Sequence, residues 1–99
     1  MVLVVDVKPR ARREINAAAD WWSKNRLSAP GAIASELKAA LAILVEQPGI
    51  GTKVENTKDP ETRCLYLGRT GYFVYYRPKG KFLQVVSFWH SSREHQPKV

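Results

Sequence analysis

The stretch from Arg63 to His90, RCLYLGRTGYFVYYRPKGKFLQVVSFWH, constrains the fold more than any other feature of the chain. Three runs of aromatic and β-branched residues, Arg63 to Arg69, Tyr72 to Arg77 and Phe82 to Trp89, are divided by Thr70-Gly71 and by Pro78-Lys79-Gly80. Glycine reaches positive φ at no steric cost, so each divider reads as a hairpin turn and the stretch as a three-stranded antiparallel meander. Side chains alternate across a strand. Arg63, Leu65, Leu67 and Arg69 therefore share one face while Cys64 and Tyr66 share the other, and Tyr72, Val74 and Tyr76 oppose Phe73, Tyr75 and Arg77. Alternation alone leaves open which set meets the core.

The preceding half is helical. Val2 to Val7 is a short β-branched run that Lys8-Pro9 terminates, because proline withholds a backbone donor and its fixed φ suits a first helical turn. Ala11, Ile15, Ala18 and Trp22 then recur at spacings of four, three and four, the stripe of an amphipathic helix, with Arg10, Arg12, Arg13, Glu14 and Lys24 on or near its wet side. Ser28 is the expected cap of a second helix with Pro30 in its first turn, and Ile33, Leu37, Ala40, Leu41 and Leu44 mark its apolar face. Gln47-Pro48-Gly49 stops it, and Ile50 to Thr62 is polar and reads as a long loop. The expected fold is α+β: one domain over residues 1–99, with an N-terminal strand and an antiparallel helical hairpin packed on one face of a mainly antiparallel four-stranded sheet.

Composition narrows the function classes. Sixteen Lys and Arg against nine Asp and Glu leave a net charge of +7, which favours acidic partners. Cys64 is the single cysteine, so an internal disulfide and a multi-cysteine metal centre are excluded. The chain opens with an apolar run too short for a signal peptide and interrupted by Asp6, and no stretch approaches the roughly 18 apolar residues of a membrane span. A cytoplasmic protein with no membrane partner, no metal and no cofactor is expected.

Several side chains carry both a bland and a functional reading. Arg63, Arg69 and Arg77 are either solvated strand ends or part of a basic, aromatic-lined concavity, since guanidinium forks suit carboxylates and phosphates. His90 has no Asp or Glu at a spacing that would orient it, and with His95 five residues on it makes a weak metal pair. Cys64 within a strand is more often a small buried hydrophobe than a nucleophile. Trp22 continues the buried stripe, whereas Trp21 lies about 100° around the helix and either packs on the sheet rim or anchors a partner.

Taken in order, Pro48-Gly-x-Gly51 after the second helix, Arg63-x-Leu65, Gly71-Tyr72 with Tyr76 beyond, and the closing His90-x-x-Arg93 resemble the RelE/ParE superfamily of toxins from bacterial type II toxin–antitoxin pairs. The likeness runs from about Val4 to Arg93 and is greater toward the ParE branch. It implies one of two chemistries: ribosome-dependent mRNA cleavage, as in RelE-like members, or inhibition of DNA gyrase by binding, as in ParE-like members. A non-toxic protein-binding module of the same fold is the third reading. RelE-like nucleases combine acid–base groups with cations around an mRNA phosphate. Where such relatives place two lysines, this chain has Cys64 and Tyr66; where they place an arginine after the Gly-Tyr pair, it has Phe73. A Glu, Arg and His variant of the nuclease set has its counterparts in Glu55, Arg63 and His90, with Arg93 as a matching cation. The deficit of cations favours the gyrase poison.

The resemblance also implies a cognate antitoxin with an acidic C-terminal segment. Its expected contacts are Trp21, Trp22, Ile33, Leu37 and Leu41 on the helical hairpin. The expected target surface is Arg63, Arg69, Arg77, Trp89, His90 and Arg93. The basic residues are spread over several elements, so sequence-specific DNA binding by the chain itself is not expected.

Overall fold

The computed structural model describes residues 2–99. Its elements, in chain order, are β1 (Val4–Val7), α1 (Pro9–Asn25), α2 (Ala32–Leu44), a single 3-10 turn (Pro48–Ile50), β2 (Thr52–Lys53), β3 (Arg63–Leu67), β4 (Tyr72–Lys79) and β5 (Phe82–His90). The sheet runs in the order β1-β5-β4-β3-β2. β1 lies parallel to β5, with Val4 opposite Phe82 and Val7 opposite Val85, and every other pairing is antiparallel.

The class agrees with the sequence, and the differences have local causes. The sheet has five strands rather than four, because Thr52 and Lys53 leave the polar loop to pair with Cys64 and Arg63. Two polar residues show no periodicity, so only the partner strand defines them as β. α2 begins at Ala32 behind Gly31, without a side-chain cap bond, and not at Ser28. β4 extends through Pro78, which sits opposite Leu83.

The face question is resolved by packing. Leu67, Val74, Tyr76, Leu83, Val85 and Phe88 are buried together with Ala11, Ala18, Ile33, Leu37, Ala40 and Leu44 of the helices. Each fully buried aliphatic side chain contributes about 1.5–3 kcal/mol. Tyr66, Phe73 and Tyr75 lie on the opposite face, with ring centroids 5.1 and 6.2 Å apart. That outer face is only partly open, Tyr66 being 52% exposed. The chain returns across it after β5: the Trp89 indole donates to the His95 carbonyl at 2.7 Å, Arg77 donates to the Val99 carbonyl at 3.0 Å, and Pro97 and Tyr75 are buried.

α2 is tied to the sheet by one carboxylate. Glu36 Oε2 accepts from the Arg69 backbone N–H at 2.8 Å, and Oε1 accepts from the Thr70 N–H at 3.0 Å and its hydroxyl at 2.7 Å. Thr70 is 4% exposed, so its donors have no ready replacement in water. Glu36→Ala is expected to lower stability by about 1–3 kcal/mol in urea unfolding, and Glu36→Gln by less, because an amide keeps one acceptor.

Candidate functional site

β5 ends where Gly71 turns the chain between β3 and β4. Gly71 has φ of +82°, and a Cβ there would stand 3.2 Å from His90 Nε2. Glycine thus both permits the turn and lets the imidazole lie against it. His90 sits opposite Tyr72, whose ring stacks on Phe88 at 4.6 Å and meets the imidazole edge-on at 4.8 Å. The Ser92 backbone N–H donates to His90 Nδ1 at 3.0 Å. An amide N–H can only donate, so Nδ1 is the acceptor and the neutral ring carries its proton on Nε2. His90 therefore presents a donor, not a base.

Beside it, the Arg93 guanidinium lies over the Trp89 ring at 3.9 Å and that of Arg10 at 5.8 Å. On α1, Trp21 and Trp22 pack edge to face at 6.2 Å, and Arg26 stands over both rings at 5.1 and 5.6 Å. Trp21 is 47% exposed, and the Trp22 indole nitrogen is buried without an acceptor.

The residues expected to form one target surface separate into groups. Trp89, His90 and Arg93 gather at the Tyr72 end of the sheet, and Arg69 follows β3 at that same end. Arg63 sits opposite Tyr76, four positions along β4 from the residue facing His90, or about 13 Å along the strands. Its guanidinium donates to the Gly51 carbonyl at 2.7 Å. Arg77 is mostly buried, 3.9 Å from Asp59 and bonded to the Val99 carbonyl. Arg63 and Arg77 are thus engaged within the fold. The Glu55, Arg63 and His90 trio is not assembled, since Arg63 and His90 occupy opposite ends of the sheet.

The antitoxin surface needs a similar correction. Ile33 and Leu37 are 1% and 7% exposed and face the sheet, so neither offers area to a partner; Leu41 and Trp22 are half-buried and Trp21 is open. Periodicity identified the apolar face of α2, and the chain's own sheet covers it. Arg26 and Tyr72, which line the same groove as Trp21, were missed by the sequence reading. Their signal was available: Arg26 falls one helical turn after Trp22, where a guanidinium reaches a ring.

Electrostatics add little reactivity. Burial pushes the Cys64 thiol above its ordinary value, so it stays protonated at neutral pH. Burial likewise raises the phenols of Tyr72, Tyr75 and Tyr76. The Lys79 ammonium, with a backbone bond from Glu61, holds Asp59 below its usual range. Among the described residues no three His, Cys, Asp or Glu side chains converge as a metal site, and no helix is long and apolar enough to cross a membrane.

Comparison with known proteins converges on one family. Residues 5–95 match the family model described as the ParE toxin of the type II toxin–antitoxin system parDE. The chain is 32% identical over 92 residues to Toxin RelE1 of Caulobacter vibrioides, covering 91% of this chain and 95% of that protein. A solved structure of the chromosomal ParDE system from P. aeruginosa has a TM-score of 0.72 at 22% identity, over 90% of this chain and 96% of that one, and so shares the fold. The order of strand, helical hairpin and meander, and the sequence match over nearly its whole length, make this chain a member of the ParE toxin family of type II toxin–antitoxin systems.

Proposed function

We propose that the chain arrests growth by binding DNA gyrase rather than by cutting RNA, acting in the cytoplasm and held inactive by its cognate antitoxin. The observation that carries this reading is the scattering of nuclease chemistry. Proton transfer and phosphorane stabilisation need a base and cations within hydrogen-bond reach of one phosphate. Here Arg63 is bonded to a backbone carbonyl about 13 Å along the strands from His90. The Nδ1 of His90 is taken up by the Ser92 N–H, its Nε2 lies against Gly71, and Cys64 is a neutral thiol. Binding needs none of these groups to ionise.

Two assays in parallel test it. Purified protein is expected to inhibit gyrase supercoiling with accumulation of cleavage complexes, and to leave mRNA on programmed ribosomes intact. His90→Gln keeps a donor near the Nε2 position, so growth arrest is expected to survive within about threefold, the scale of losing a modest contact. Codon-positioned mRNA cuts that disappear in His90→Gln would instead establish the nuclease. That arm is retained because one relative carries the name RelE1.

A further inference from the structure

After β5 the chain crosses the outer face of the sheet without joining it. At the root of this segment the Ser91 N–H donates to the Gly71 carbonyl at 2.8 Å and the Arg93 N–H to the His90 carbonyl at 3.2 Å. Beyond Arg93 no backbone–backbone hydrogen bond among the described residues fastens it. Side chains do so instead. The Trp89 indole donates to the His95 carbonyl at 2.7 Å, and Arg77 donates to the Val99 carbonyl at 3.0 Å. Arg10 donates to the Lys98 carbonyl, and the Gln96 amide donates to the Glu55 carbonyl at 2.9 Å.

Residues 94–99 thus form a strap that little free energy holds closed. Pro97 is buried, whereas residues 94–96 and Lys98 are exposed. Each residue held in place gives up backbone entropy, and a surface hydrogen bond returns only part of it, because an open strap bonds to water instead. The fit to the sheet is also incomplete. A cleft of about 130 Å³ remains between the strap and Phe73, Tyr75 and Trp89, and Arg77 Nε is buried with no acceptor. A segment with so few buried contacts and no ladder opens without unfolding the domain.

What the strap hides is continuous with what is already open. Tyr66, Phe73 and Trp89 are direct neighbours across β3, β4 and β5, and Tyr75 follows Phe73 by two positions. Tyr66 is 52% exposed, while Tyr75 is 5% exposed. We infer that the strap is an autoinhibitory cover. Closed, it withholds Tyr75 and occupies the donors of Trp89 and Arg77 with its own carbonyls. Open, it adds those three residues to Tyr66 and Phe73 as one aromatic face that ends in a guanidinium. A polypeptide segment of the target displaces it by offering the same carbonyl acceptors. The inference deepens the binding reading above and rests on it in taking Trp89 and Arg77 as target contacts; it adds that they are available only when the strap opens.

The test uses the full chain and the double variant Gln96→Ala/Pro97→Ser, which loosens the strap and leaves the face beneath it intact. In the ¹⁵N-labelled wild type, relaxation dispersion is expected to show the strap amides and the Trp89 indole N–H exchanging together on the μs–ms timescale, with the β4 and β5 amides quiet. In the variant the ratio of open to closed strap is expected to rise at least about tenfold, the scale of losing one hydrogen bond and one buried ring, with unchanged circular dichroism. The variant is also expected to arrest growth at an expression level at least about threefold lower. Should it misfold, Gln96→Ala alone serves as the replacement, with a smaller shift in the same direction.

No exchange shared by the strap and the indole, a strap already at random-coil shifts in the wild type, or a loosened strap with unchanged growth arrest each overturns the proposal. Weaker arrest by the loosened variant overturns it too, and would make the strap part of the target surface. Gyrase supercoiling is scored separately with both proteins. Equal inhibition by the two sinks this inference alone. Stronger growth arrest by the variant with no gyrase inhibition by either sinks the gyrase reading alone.

Discussion

Tyr76→Phe is expected to lower the stability of the fold by about 2–3 kcal/mol, which for a domain of this size moves the melting temperature down by roughly 10–20 °C. The phenol is fully buried and bridges two backbone groups of the turn that follows α2. It donates to the Pro48 carbonyl at 2.7 Å and accepts from the Gly51 N–H at 3.0 Å. Removing one oxygen strands a buried N–H that has no other partner. Gly51 is bound to the same arrangement. A Cβ there would stand 2.4 Å from the phenol oxygen and 2.7 Å from the Cys64 carbonyl. Gly51→Ala should therefore be at least as damaging. In the Tyr76→Phe background its cost should fall, since the hydroxyl clash is gone, without reaching zero, since the Cys64 carbonyl remains. A double-mutant cycle by urea unfolding checks both statements; additive costs would mean that the turn shifts as a unit rather than holding its geometry.

The buried phenols also fix the sign of an alkaline response. Tyr72, Tyr75 and Tyr76 have folded pKa values raised above the ordinary 10, burial being the first cause in each. Their neutral forms favour the folded state, so this contribution is complete below about pH 10 and is lost as pH rises through the folded values. Tyr76→Phe should flatten the alkaline limb of a stability–pH profile, besides lowering the whole curve.

Glu14→Ala is the second large effect, expected at about 2–4 kcal/mol. Oε1 of Glu14 accepts from the Ser87 hydroxyl at 2.8 Å and the Phe88 N–H at 3.1 Å, where the β4–β5 ladder shifts register between Tyr75 and Tyr76. Ser87 is fully buried and Phe88 nearly so. A helix side chain here completes the bonding of a strand that its neighbour leaves incomplete. Deleting it orphans a backbone donor and a hydroxyl together. Arg10→Ala, which removes the 3.5 Å partner of Oε2 together with solvent-exposed contacts to the Trp89 ring and the Lys98 carbonyl, should cost less, about 1 kcal/mol. Midpoint shifts at constant denaturant slope would identify native-state effects. A changed slope for Glu14→Ala would show that the register of β5 itself had moved.

These two residues show how far the chain could be read without coordinates. The alternation and turn glycines of the meander set strand identity locally, and the pairings followed: Leu67 meets Tyr72, and Tyr72 meets His90. Pro48-Gly-x-Gly51 was legible as a family marker, but its reason, the space beneath the Tyr76 hydroxyl, was not. Two segments 25 residues apart meet only after folding. Glu14 was placed on or near the wet side of α1 because helical periodicity records which residues are apolar, and the acceptor it supplies to a β-bulge 73 residues away leaves no trace in that period. The apolar face of α2 was found and then misassigned: Ile33 and Leu37 are hydrophobic because the sheet covers them.

Local pattern thus determined every element but β2, their order and the family, since propensity, turn geometry and periodicity act within a few residues. Tertiary packing alone decided which sheet face met the helices, that the chain's own last residues cover part of the outer face, and that Arg63 and His90 stand at opposite ends. Those outcomes depend on which distant groups compete for the same buried donors, acceptors and surface, and no window of sequence contains that competition.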